Sequence, residues 1–210
     1  DASHWEAVVR SAPPLEAEHV QALGALALQQ HPTYQSYPDR QFRGRGVVMS
    51  AGGRLQISNA YCAVRALRAH GCRLPVEIYY AGSSEMSAEV VEVLNGLDVS
   101  VLDIYHSLHA DDADLPLRGF QIKAFAVLQS SFEEVLWLDS DSVPARNVCE
   151  ALDSRIYQAH GSLFWQDWSV DPHWLTPEFM AAYGLEMIPG ERELEAGQLA
   201  VSKRRCWTAL

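Results

Sequence analysis

The chain has 210 residues, 48% of them hydrophobic and 20% charged, enough to bury a sizeable core within a single domain. Its net charge of −11, with no long run of Lys or Arg, excludes non-specific nucleic-acid binding, which needs clustered cations against the phosphate backbone. No apolar stretch reaches the roughly 20 residues that cross a bilayer. Asp1 is not an initiator methionine, and Trp207-Thr208-Ala209-Leu210 carries no Gly or Pro stop signal, so further sequence is expected on both sides, and a signal or membrane anchor there is invisible in these residues.

Residues 14–30 read as a helix, and His31 to Arg43, rich in Pro, Tyr and Arg, as a linker or surface strap. A repeating core begins after it. Val47-Val48-Met49-Ser50 reads as a short buried strand, Ala51-Gly52-Gly53-Arg54 as a loop, and Ser58 to His70 as a helix closed by Gly71. Val76 to Tyr80 is a second strand. Ser87 caps a helix that ends near Asn95-Gly96, with Glu89 in its first turn, and Val99 to Ile104 gives a third strand. Gly119 to Ser131 predicts a helix that feeds the apolar run Val135-Leu136-Trp137-Leu138. This alternation predicts an α/β fold with a mainly parallel, doubly wound sheet flanked by helices. Cys62, Cys72, Cys149 and Cys206 show no zinc-site spacing. They read as buried free thiols or as two disulfides of a secreted protein, with Cys62 and Cys72 nearest in sequence, and the pattern does not choose.

Four places carry chemistry. At the end of the apolar run stand Asp139, Ser140 and Asp141. Open α/β sheets bind ligands at the carboxyl ends of buried strands. If the backbone stays extended, Asp139 and Asp141 point the same way, and two hard oxygen donors suit Mg²⁺ or Mn²⁺, with water and substrate phosphate completing the shell. The competing reading is a solvated Asp-Ser-Asp turn. The loop Ala51-Gly52-Gly53-Arg54 is the second place: two glycines let backbone approach a ligand, the helix N-terminus offers free N–H groups, and Arg54 suits a phosphate. It lacks the Walker and dinucleotide fingerprints, so an ordinary strand-to-helix turn is its alternative. Lys123, third, lies among apolar residues and either snorkels to solvent or meets an anion, such as the diphosphate that a metal at Asp139 would hold. Fourth, Glu195-Ala196-Gly197-Gln198 reads as a small-residue turn entering a strand, with a carboxylate and an amide for sugar hydroxyls or else a plain strand edge. Leu163 to Trp168 adds aromatic platforms and the carboxylate of Asp167, in a composition that suits either a carbohydrate or a buried strand.

The succession Gly46 to Arg54, Asn59-Ala60-Tyr61, Leu74 to Gly82, Gln121 to Ala126, Ser130 to Leu136, Asp139 to Pro144, Gly161 to Asp167 and Glu195 to Gln198 resembles, in order, the fungal Golgi α-mannosyltransferases of glycosyltransferase family seventy-one. The resemblance covers roughly residues 44–205. It implies a GT-A fold, a Rossmann-like nucleotide-sugar domain over 44–210, with 1–43 as an N-terminal helical or irregular extension. It further implies Mn²⁺ (or Mg²⁺) and GDP-mannose as cofactor and donor, a mannan or N-glycan acceptor, and an α-1,2 or α-1,3 linkage made with retention. By position, Asp139 and Asp141 would hold the metal, with Ser140 beside the donor. Ala51, Gly52, Gly53 and Arg54 would lie by the nucleotide, Lys123 near ribose or phosphate, and Glu195 and Gln198, with Asp167, around the transferred sugar. The related folds complete the metal shell late in the domain, for which His106, His109, His160 and His173 are nominal candidates. The location implied is the Golgi lumen, as a type II membrane protein anchored through a segment outside this chain, with Golgi complex subunits as possible partners.

Two other readings stand beside this one. The run Val135 to Val143 also resembles the nucleophile motif of haloacid-dehalogenase-like phosphatases, although that motif normally opens its domain. A catalytically idle nucleotide-sugar or glycan-binding module would keep the same fold.

Overall fold

The computed structural model describes residues 37–38, 41–106, 121–167 and 194–207. Asp167 aside, these belong to one compact unit, Ser36–Gln166 with Leu194–Leu210. The helix expected over 14–30, most of the strap before Arg43, His109, Trp168 and His173 lie outside the described residues.

Strand β1 (Arg45–Ser50) opens the fold, and α1 (Gly53–Ala69) follows it. This helix buries Ala60, Ala63, Val64 and Leu67, the i, i+3, i+4, i+7 stripe that faces a core. It begins five residues before the expected start at Ser58, because a helix N-terminus needs no apolar residue of its own: Gln56 Oε1 accepts from the Gly52 N–H at 3.0 Å and stands in for a side-chain cap. β2 (Val76–Tyr80), α2 (Ala88–Asn95) and β3 (Ser100–Asp103) come next, then a 3₁₀ turn, Ile104–His106. After the undescribed residues come α3 (Gln121–Gln129) and β4 (Glu134–Leu138). A second 3₁₀ turn (Val148–Asp153) leads to α4 (Arg155–His160) and β5 (Ser162–Gln166); β6 (Leu194–Ser202) and the short α5 (Lys203–Cys206) complete the described chain.

The described strands form one six-stranded sheet in the order β3-β2-β1-β4-β6-β5. β3, β2, β1 and β4 run parallel, as expected, whereas β6 is antiparallel to both β4 and β5. The sheet is therefore mixed. Successive residues of β1 and β4 serve opposite core layers: Val47, Met49, Leu136 and Leu138 pack with α1 and α2, while Val48, Val135 and Trp137 pack with Ala126 and Val127 of α3. Burial on both faces explains why these strands are apolar without alternation. Chain order reverses between β1 and β4, and this switch point is where open α/β sheets leave a crevice at the strands' carboxyl ends.

A disulfide joins Cys72, just after α1, to Cys149 in the second 3₁₀ turn. Cys62 is exposed and unpaired, and Cys206 is half-buried and unpaired. Neither cysteine reading is met in full: one pair forms, between residues 77 apart, and Cys72 bonds Cys149 rather than its sequence neighbour Cys62.

Candidate active site

The register that pairs Val48 with Trp137 brings the end of β1 alongside Asp139, and the pairing of Leu138 with Gln198 brings in the first half of β6. Three of the four places therefore meet at one edge of the sheet by topology, and α3 supplies the remaining one.

Asp139 is the hub. Its backbone N–H donates to Gly197 O at 2.7 Å, which fixes the end of β4 to β6. Its carboxylate accepts from the Trp137 indole N–H, Nε1 to Oδ1 being 2.7 Å. Trp137 and Asp139 are two apart on a strand and so share a face, a relation readable from sequence by period alone. The Lys123 ammonium lies 3.0 Å from Asp139 Oδ1 and 3.2 Å from Oδ2, and also donates to Ala196 O. It stands 5.4 Å from the centroid of the Trp137 ring. Lys123 thus meets an anion rather than snorkelling, and it ties α3, β4 and β6 together.

Beyond Asp139 the backbone turns. Ser142 N–H donates to Asp139 O at 2.9 Å, so the extended geometry expected to align Asp139 with Asp141 does not form. Asp141 stands exposed on this turn, with no partner among the described residues, while Ser140 is buried at 7% exposure. The turn releases Asp141 from the sheet and leaves its side chain exposed.

Glu195 and Gln198 belong to β6 itself rather than to a turn before it. The strand is irregular there, since Phe164 pairs with Leu199 and the next residue, Trp165, with Glu195. This bulge lets Glu195 Oε1 accept from Gly197 N–H at 2.6 Å. A Cβ on Gly197 would stand 2.9 Å from Glu195 Oε1, 3.2 Å from Ser142 Oγ and 3.5 Å from Asp139 Oδ2, so glycine is what lets three polar groups crowd together. Gln198 pairs with Leu138, on the sheet face opposite Trp137 and Asp139. Asp167 follows β5 directly, half-buried.

In the first loop Ala51 is buried, and Gly53, at φ +65°, adopts the left-handed backbone that suits glycine. Its N–H donates to Glu85 O at 3.0 Å, and the Glu85 side chain lies against Gly52, with Oε2 3.0 Å from where a Cβ would stand. Arg54 is exposed on the first turn of α1. No sequence signal marked Glu85, since only the fold brings it to this loop. Its carboxylate repels a phosphate at the glycines and suits the hydroxyls and N–H groups of a nucleoside. Of the histidines, His106 ends the 3₁₀ turn after β3 and His160 ends α4. No cluster of three or more His, Cys, Asp or Glu forms among the described residues.

This parallel-to-mixed sheet with its switch-point crevice is the fold of the GT-A glycosyltransferases. It superposes on the galactosyltransferase LgtC, solved with donor and acceptor sugar analogs, with a TM-score of 0.50 at 18% identity over 78% of this chain and 60% of that one. The bifunctional glycosyltransferase WbbM in its apo form gives a TM-score of 0.51 at 14% identity, over 84% of this chain and 34% of that one. Residues 44–206 match the family model described as "Mannosyltransferase putative", and the chain belongs to this mannosyltransferase family. Its relatives include alpha-1,2-mannosyltransferase MNN2 of Candida albicans, 31% identical over 156 residues, which are 73% of this chain and 25% of the relative. Alpha-1,2-mannosyltransferase MNN5 of Saccharomyces cerevisiae is 30% identical over 139 residues, 63% of this chain and 23% of the relative. The chain thus spans about a quarter of the length of these relatives.

Proposed function

We propose that this chain is the donor-binding part of an α-mannosyltransferase that moves mannose from GDP-mannose to a mannan or N-glycan acceptor, with retention, in an α-1,2 or α-1,3 linkage, and with the help of Mn²⁺ or Mg²⁺. The observation that carries the reading is the cluster at Asp139, where a carboxylate at the switch point meets a lysine and the Gly197–Glu195 bulge, with the exposed Asp141 on the turn just beyond. The donor chemistry suits a hard divalent ion: Asp139 already holds a cation, the Lys123 ammonium, and Asp141 offers a second, exposed carboxylate on the turn just beyond, which an ion would draw toward the first. Asp139 and Asp141 would hold the ion, which when bound neutralises charge building on the departing diphosphate.

The chain's own groups divide the remaining work. Lys123 donates to a diphosphate oxygen, and Ser140 stays beside the donor. Ala51 to Arg54, with Glu85, take the nucleoside, Arg54 reaching outward from the helix start. Glu195, on the face shared with Asp139, sets a carboxylate toward the positive charge that develops at the sugar's anomeric carbon; Gln198, paired with the last residue of β4, borders the sugar. The acceptor hydroxyl attacks from the face of the leaving group. Its oxygen bonds to the anomeric carbon, the carbon–phosphate oxygen bond breaks, and the hydroxyl proton passes to the departing phosphate.

The Cys72–Cys149 disulfide supports an oxidising, secretory compartment. We take this to be the Golgi lumen, with attachment through a segment outside this chain and association with Golgi complex subunits. No described helix is long and apolar enough to cross a membrane. The test is transfer of mannose from GDP-mannose to an α-mannoside. Asp141→Ala abolishes metal-dependent transfer and leaves unfolding unchanged, since Asp141 is exposed. Transfer by that variant with Mn²⁺ added would sink the metal assignment.

A further inference from the structure

Lys123 holds a position with two claimants. Its ammonium touches both oxygens of Asp139, at 3.0 and 3.2 Å, donates to Ala196 O, and rests against the Trp137 ring. Its side chain is only 16% exposed and that of Asp139 is 29% exposed, so water screens the pair poorly. The Trp137 indole N–H occupies Oδ1 as well. With three donor contacts already on one carboxylate, a divalent ion at Asp139 must compete with the ammonium, because a dication and an ammonium on the same oxygens repel. Asp141 has no such cover.

We propose that Lys123 is a resident cation that closes the metal position of the donor-free protein and passes to the donor's diphosphate when metal and nucleotide arrive together. This rests on the reading of Asp139 and Asp141 as metal ligands. The charges explain the coupling. Two carboxylates and one ammonium leave a single net negative charge for a bare dication, a weak site. A diphosphate brings further negative charge, on which the released ammonium finds a new partner. Trp137 keeps Asp139 in place throughout, since its N–H bond does not depend on the lysine. Metal and nucleotide are therefore bound cooperatively, and free Mn²⁺ in the absence of nucleotide is held weakly.

The test is Mn²⁺ binding followed by electron paramagnetic resonance, where bound ion loses its sharp six-line signal, with Lys123→Gln and Lys123→Met beside the wild type. Without nucleotide, both variants bind Mn²⁺ roughly fivefold tighter than wild type, which corresponds to about 1 kcal/mol of lost ion-pair competition. With Mn²⁺ saturating, both bind GDP several-fold more weakly. Opposite signs for the two ligands are the signature. Mn²⁺ affinity that is unchanged or weaker in the variants overturns the proposal, and a parallel loss of both affinities does so by marking Lys123 as merely structural. If wild type and variants alike bind no Mn²⁺ even with GDP present, the metal reading itself fails and takes this inference with it.

Discussion

Gly197 carries no side chain at the most crowded point of the site, where three oxygens stand within 3.5 Å of the place a Cβ would take. Gly197→Ala must push Glu195, Ser142 or Asp139 aside. Such overpacking costs about 1–3 kcal/mol of stability, and the displacement of Asp139 and Glu195 weakens GDP-mannose binding by at least about tenfold, which calorimetry beside denaturant unfolding reads out. A variant that lost stability but bound donor normally would show that the tight approach matters for folding alone. At this scale the sequence was informative wherever a local rule applied. Asp139 stood out because an apolar run ended on it, and the Trp137 bond follows from the period of two. The turn at Asp139–Ser142 was one of two readings, and Ser142 N–H bonding to Asp139 O decides it. Glu85 was illegible, since its meeting with Gly52 depends on a fold contact between β1 and the chain after β2.

Helix α3 presents Lys123 at its first turn and is pinned at the other end. Lys203, fully buried on α5, donates to Leu128 O at 3.1 Å and Ser130 O at 2.5 Å, beside the Phe42 ring at 3.8 Å. Burial pulls its ammonium down to about 7, and Glu77 opposes that only in part. Glu77 is itself held by Ser131 Oγ and Tyr79 Oη. The sign follows directly: between about pH 7 and the ordinary lysine value of 10.5, the unfolded chain binds a proton that the folded chain lacks. Stability therefore rises with pH across that window, by at most about 1.4 kcal/mol per unit from one group, and levels off below it. Urea unfolding at about pH 7 and about pH 9 checks this. Wild type is more stable at the higher pH, and Lys203→Met loses that slope; an equal slope in the variant would contradict the assignment. Lys203-Arg204-Arg205 gave no hint of burial in the sequence, because a basic run ordinarily faces water. Strands β1 and β4 were legible because burial on both faces leaves an unbroken apolar run, and β2 through its β-branched and aromatic residues despite the buried Glu77. The bulge in β6 was not, since a pairing irregularity is a property of two strands rather than of one segment.

For the molecule as a whole, βα alternation foretold the parallel half of the sheet, and the non-local partners β5 and β6 escaped it. Antiparallel insertion of β6 beside β4 is what brings Glu195 and Gly197 to Asp139, so the site is completed by the part of the topology that periodicity leaves open. The Cys72–Cys149 link joins the end of α1 to the turn before α4, and closing a loop of that length contributes about 4–5 kcal/mol in the chain-entropy account. The switch point of the sheet is the edge on which the proposed donor cluster stands. The central claim is that this edge binds a nucleotide sugar through a metal at Asp139 and Asp141. Calorimetric titration of GDP-mannose into the chain, with and without Mn²⁺ and with Asp139→Asn alongside, tests it most directly. Binding that requires Mn²⁺ and vanishes in Asp139→Asn is the predicted result; equal binding without the metal, or undiminished binding by the variant, would contradict it.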